Sequence, residues 1–170
     1  PNAFVADPPL EQVITRSVET GIRGQSNFNK FTVNWTSIAF LSKNYDDIIF
    51  VSSGTGLSSG YFKNFGKTQR LGLDFTIDAF NNKLKLGIKG FSINYSYLEA
   101  TFQSAHTLPA TNHPNSANDV QAGDIIPGMP KHKINAYVTY NLFKDLDITT
   151  GLTGATGVYL RGDESNQLKK

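Results

Sequence analysis

The feature that most constrains this chain is a two-residue alternation of greasy and wet side chains. From Leu71 to Phe80, Leu71, Leu73, Phe75, Ile77 and Ala79 are apolar, whereas Gly72, Asp74, Thr76 and Asp78 are small or polar. Successive side chains on an extended strand point to opposite faces, so this pattern makes a ribbon with one apolar and one polar side. It returns at 134–142 and 146–152, and more faintly at 14–22, 31–41 and 91–97. No segment carries a helical period of 3.6. The alternation predicts an all-β, antiparallel chain with six strands, over 12–23, 30–52, 61–80, 84–102, 130–143 and 146–161.

One irregularity lies near Gly90. Leu84, Leu86 and Ile88 are apolar at even positions, but Phe91, Ile93, Tyr95 and Tyr97 are apolar at odd ones. An extra residue at Lys89-Gly90, a bulge, shifts parity by one. A turn that extends through Lys89 does the same, and the sequence leaves both open.

The connections alternate in length. Residues 25–29, 81–83 and the pair Lys144-Asp145 are short, while 53–60 and 103–128 are long and polar. Tight turns at one end and long loops at the other match an up-and-down barrel that crosses a membrane. A soluble sandwich also alternates, so other features must choose. Several strands exceed the usual five or six residues of soluble sheets. The polar side is small and hydroxyl-rich, as in Thr149, Gly151, Thr153, Ala155 and Gly157. Aromatics gather toward strand ends (Phe28, Phe31, Trp35, Tyr61, Phe62, Phe65, Phe80, Phe102, Phe143, Tyr159), where interfacial girdles sit. Glu19, Arg23, Asp74, Asp78 and Asp147 all fall opposite the apolar side.

Composition removes other classes. The longest aliphatic-aromatic run is Ile48-Ile49-Phe50-Val51, far short of the ~20 residues of a membrane helix. Charged residues are 18% with a net charge of +2, which argues against a nucleic-acid partner. There is no Cys, hence no disulfide or thiolate site. Gly54-Thr55-Gly56 lacks the Lys and helix start of a phosphate loop. No nucleophile–base constellation is visible, so no enzyme, catalytic residue or cofactor is expected. The first residues, Pro1-Asn2-Ala3, carry no leader peptide, and both ends read as cut.

Particular strings sharpen the reading. They are Arg16-Ser17-Val18-Glu19-Thr20-Gly21-Ile22-Arg23-Gly24, Asp46-Asp47-Ile48-Ile49-Phe50-Val51, and Asn64-Phe65-Gly66 through Gly72-Leu73-Asp74. Further on come Tyr95–Phe102, Gly123-Asp124-Ile125-Ile126-Pro127-Gly128-Met129-Pro130, and Tyr159-Leu160-Arg161-Gly162-Asp163-Glu164-Ser165-Asn166. In this order and spacing the whole chain resembles the C-terminal part of the barrel of TonB-dependent outer-membrane receptors. The resemblance implies six strands of a barrel of about 22. It implies bacterial outer-membrane lipid, the receptor's own plug domain and TonB as partners. The cargo it implies is a small metal chelate of the iron-siderophore, haem or cobalamin class. Nothing in residues 1–170 resembles a plug domain or a TonB box. The sixth strand is expected to leave the membrane at 159–161, so Gly162-Asp163-Glu164 would begin another outer loop. The alternatives are a passive porin-type barrel and a soluble adhesin-like β-domain.

Candidate site residues follow in two groups. Asp46 and Asp47 at a strand end, and His106 and His113 in the long loop, are candidate ligand contacts, although the histidine spacing matches no metal motif. A hydrated strand end and a solvated loop are the plain alternatives. Glu19, Arg23, Asp74, Asp78, Lys133 and Arg161 are expected to line the lumen and to face the plug. Six strands cannot close a barrel, and open edges aggregate. Residues 1–170 expressed alone are therefore expected to aggregate; a monodisperse, sharply melting soluble product in sedimentation and calorimetry would contradict the membrane reading.

Overall fold

The computed structural model describes residues 8–52, 60–81, 86–109, 117–143 and 145–168, which contain strands and no helix. The strands are β1 (Ile14–Phe28), β2 (Phe31–Tyr45), β3 (Ile48–Ser52), β4 (Gly60–Asn64), β5 (Thr68–Phe80), β6 (Gly87–Phe102), β7 (His106–Pro109), β8 (Ala117–Val120), β9 (His132–Phe143) and β10 (Leu146–Ala155). The six long ones form one open antiparallel sheet in the order β1-β2-β5-β6-β9-β10. The short hairpins β3–β4 and β7–β8 both stand at the same end of that sheet, the loop end. The opposite end carries the tight connections.

The six predicted ribbons are present with shifted borders. The first runs to Phe28, because Phe28 pairs with Phe31 and leaves only Asn29-Lys30 as the turn, with Asn29 at φ 57°. The ribbon expected over 30–52 breaks at Asp46, whose φ of 54° turns the chain out of β2. The one expected over 61–80 breaks at Gly66, φ 65°. The loop expected over 103–128 contains β7 and β8, and the last strand ends at Ala155 rather than near 161. Near Gly90 the structure resolves the open choice in favour of a bulge. Ile88 faces Tyr140 and Gly90 faces Thr139, which leaves Lys89 as the extra residue. Of the connections expected over 53–60, 81–83 and Lys144-Asp145, residues 53–59, 82–83 and Lys144 lie outside the described residues.

Directly opposed residues of an antiparallel pair share a face. The registers therefore join the strands into two continuous surfaces. One holds Val18, Ile22, Val33, Trp35, Leu41, Leu71, Leu73, Phe75, Ile77, Phe91, Ile93, Ile134, Val138, Ile148 and Leu152. These side chains are not a core. Val18 and Ile22 are each 66% exposed and Leu152 is 71% exposed. Between Val18 and Phe28 on β1, and across the matching stretches of the other strands, the one Asp, Glu, Lys or Arg on this surface among the described residues is Glu99, in the loop-end row opposite Leu71 and ion-paired with Lys131. Ten residue steps of about 3.3 Å, tilted by about 40°, make this apolar band about 25 Å tall, the height of a bilayer's apolar belt. Close-packed aromatics cover glycines within the sheet. A Cβ at Gly24 would meet the Trp35 ring at 2.5 Å, and one at Gly72 the Phe40 ring at 2.3 Å.

The buried core sits beyond the band, at the loop end. It comprises Val51, Phe65, Ala100, Phe102, Leu108, Val120 and Ile126. Phe65 and Phe102, expected among the interfacial aromatics, instead stack inside this core with ring centroids 4.8 Å apart. Removing either ring would cost on the order of 3–5 kcal/mol. Past the start of β9, the exposed edge of β6 is closed by the segment before it. Ile126 N donates to Ala100 O and Phe102 N to Asp124 O, each at 2.9 Å.

This sidedness sets an expectation for the intact barrel in lipid vesicles. Phe75→Arg, in mid-band, should cost about 2–4 kcal/mol of unfolding free energy in urea titrations, and Ser96→Arg on the other face under about 1 kcal/mol. Equal costs would contradict the assignment of faces.

Candidate functional site

The second surface of the sheet is mainly polar, interrupted by Ile38, Phe40, Phe80 and Leu98, and its polar side chains are laced across the strands. Ser17 and Ser42 lie 2.9 Å apart, and Gln25 donates to Asn34 at 2.9 Å. Thr76 donates to Asn94 at 3.1 Å, and Ser92 to Asp78 at 2.6 Å. Thr139 and Thr149 are 2.9 Å apart, and Thr153 donates to Asn135 at 3.0 Å. Every one of these pairs is directly opposed in register. Rungs of this kind hold short polar side chains against the sheet. The face they make is rich in donors and acceptors.

The register brings Glu19, Arg23, Asp74, Asp78 and Lys133 onto this one face. Asp78 accepts from Ser92. Glu19, Arg23, Asp74 and Lys133 have no hydrogen-bond or ion-pair partner among the described residues. Arg161 is not on the sheet. It lies beyond β10, its guanidinium carbon 5.9 Å from the centre of the Phe50 ring.

At the loop end, Asp47 is 7% exposed and belongs to a buried polar knot. Its Oδ2 accepts from Thr68 Oγ1, from Asn44 Nδ2 at 3.2 Å and from Arg70 at 3.0 Å. Burial alone pushes this carboxyl up. The hydrogen bonds from Thr68 and Asn44, with the charge and hydrogen bond of Arg70, outweigh it and leave the group below its ordinary 3.8. Asp46 lends its backbone instead: its carbonyl accepts from Asn64 Nδ2 at 2.7 Å. Asp47 N donates to Gly66 O, and Phe65 N to Asp47 O. The β3–β4 hairpin thus hinges on a clamp. Arg70, Thr68 and Asn64 were not singled out in the sequence, although Arg70 and Thr68 share the even parity of Asp74.

His106 stacks on Phe65 at 4.6 Å and its Nε2 lies 3.0 Å from Ser104 Oγ, which ties it to the core. His113 lies outside the described residues. The segment after β10 folds back over the loop end rather than starting a free loop. Asp163 and Glu164 are 1% and 3% exposed. Asp163 accepts from the backbone of Gln167 and Leu168, and Asn166 pairs with both backbone groups of Ile125. Among the described residues no cluster of three or more His, Cys, Asp or Glu could hold a metal ion.

A family model described as TonB dependent receptor-like, beta-barrel matches residues 1–169 of this chain. No curated protein matches it.

The Asp47 clamp has a defined pH dependence. A carboxyl held below 3.8 contributes stability that is complete above that value and is lost as pH falls through the lower, folded-state value. Amide exchange of β3 and β4 should therefore accelerate at pH below about 4, while the β1–β2 ladder stays protected. Arg70→Met should cost about 2 kcal/mol of local stability at neutral pH, because it leaves a buried carboxylate short of its cation. Unchanged exchange in both experiments would show that the clamp does not hold the hairpin.

Proposed function

This chain belongs to the TonB-dependent receptor β-barrel family, and from that premise we propose that its six long strands are part of the wall of a receptor importing a scarce ligand of the iron-siderophore, haem or cobalamin class. The family serves transport across the bacterial outer membrane. Energy for import is coupled through TonB, by way of a plug domain inside the barrel. One observation supports this reading above others: an exposed apolar band, whose one charged residue, Glu99, is paired with Lys131, backs onto a mainly polar face that keeps unpaired charges. A wet channel lined only by mutually satisfied groups would suit passive diffusion. Unpaired Glu19, Arg23, Asp74 and Lys133 suit a charged, packed neighbour.

In this reading the polar face meets the plug, with Asp74 and Lys133 as principal contacts and Asp78 held ready by Ser92. Arg161 acts at the loop end instead. Asp46, Asp47, His106 and His113 belong to the ligand-facing end. There Asp47 and His106 work by holding β3–β4 and β7–β8 in place.

The test is made in the full receptor. Asp74→Asn together with Asp78→Asn should reduce energy-dependent ligand uptake by roughly fivefold, and weaken plug retention in a pull-apart or proteolysis assay. Unaltered uptake and plug protection would remove the proposed contact. Uptake that persists without a membrane potential or TonB would favour a passive porin-type barrel.

A further inference from the structure

A second charged patch lies on the other side of the wall, outside the lumen. On the apolar face, two residues beyond Val18 and Leu41 at the edge of the apolar band, the register brings Arg16 of β1 opposite Lys43 of β2, with Gln69 of β5 next in line. The next row outward holds Tyr45, then Lys67 and Gln103, joined by Gln103 N donating to Lys67 O at 2.8 Å. Two cations flank one ring: the Arg16 guanidinium carbon and Lys67 Nζ are 5.6 Å and 5.7 Å from the centre of Tyr45. Lys43, Tyr45, Lys67, Gln69 and Gln103 line an open groove of about 250 Å³.

The charges at this groove meet no carboxylate among the described residues. Arg16, Lys43 and Lys67 make no ion pair among the described residues. Two carboxylates at this end of the sheet are engaged elsewhere. Asp47 is turned to the polar face and held by Arg70, and Glu99 is bound by Lys131. Three cations without a carboxylate partner at the edge of an apolar band cost solvation unless an anion meets them.

Position identifies the anion. Two residue steps above the band is about 5 Å along the membrane normal, which is headgroup depth. We propose that Arg16, Lys43 and Lys67 form a binding site for the phosphate of an outer-leaflet lipid headgroup. Its acyl chains lie down the apolar band, starting from the side chains of Val18, Leu41 and Leu71. Tyr45 holds the two flanking cations by their attraction to its ring face. The amides of Gln69 and Gln103 add neutral donors to the phosphate oxygens. The site anchors the wall at a fixed depth, and it does not depend on what the receptor imports.

The experiment uses the intact receptor barrel in zwitterionic detergent, with bound lipid counted by native mass spectrometry. Short-chain phosphatidylglycerol is titrated, with phosphatidylcholine and inorganic phosphate as separate arms. Retention of phosphatidylglycerol should weaken roughly tenfold in the double variant Lys43→Gln, Lys67→Gln. The variant Lys43→Arg, Lys67→Arg should retain it, and so should Lys30→Gln at the far end of the sheet. The expected affinity order is phosphatidylglycerol well above phosphatidylcholine, with no competition from inorganic phosphate at equal concentration. Undiminished retention in the Lys→Gln double variant would overturn the proposal. Equal binding of inorganic phosphate would overturn it too, by marking a free-anion site. Uptake is not the readout, so failure of the transport reading is distinguishable from failure of this one.

Discussion

Hydrocarbon offers no hydrogen bonds, and that single fact governs the rest of this structure. A backbone crossing it must pair every N–H and C=O with protein. Between β1 and β10 the long strands do so through continuous ladders, shifted at Lys89 and near Leu146, and only the outer edges of β1 and β10 are left without a partner strand among the described residues. Once the ladder is fixed, the pleat assigns each side chain to one of two solvents. The exposed rows of Val18, Leu73 and Ile134 are then stable, not a defect of folding. Their burial is completed by lipid rather than by a second protein layer.

The sheet contributes little core of its own, so order at the loop end needs a separate cause. Phe65, Phe102, Val120 and Leu108 supply it, drawn from β6 and from both short hairpins. The Asp47–Arg70 knot hinges β3–β4 onto this core, and Asn166 fastens the segment after β10 to Ile125. Stability is therefore split between two environments. Lipid holds the wall, and a small conventional core holds the platform that carries the loops. A variant in one part should leave the other largely intact, since the two share few contacts.

The sequence was informative wherever a residue's role depends on parity. Parity alone assigned Glu19, Arg23, Asp74 and Asp78 to one face, because period two is a local property of the pleat. It also raised the shift near Gly90, but could not separate a bulge from a turn. That distinction depends on whether Gly90 still pairs with Thr139, a contact about fifty residues away. Breaks at Asp46 and Gly66 were missed for a related reason. Alternation continues through both, and only a left-handed residue between two extended ones ends the ribbon. The buried roles of Asp47, His106 and Asp163 were also out of reach. Each is set by partners distant in the chain (Arg70, Phe65) or by the return of the last segment over the loop end. Strand-end aromatics divide in the same way: Phe28 and Phe143 stay exposed, but Phe65 and Phe102 are recruited into the core.

The central claim is that alternate residues of each long strand meet lipid and water in turn. The chain contains no cysteine, so single cysteines introduced from Leu71 to Phe80 in the intact barrel can each carry one spin label. Collision rates with oxygen, which concentrates in hydrocarbon, and with a water-soluble nickel chelate are then measured in lipid vesicles. The account predicts oxygen-favoured collisions at 71, 73, 75 and 77 and chelate-favoured collisions at 72, 74, 76 and 78. A profile without two-residue periodicity, or one in which both parities favour the chelate, would contradict it.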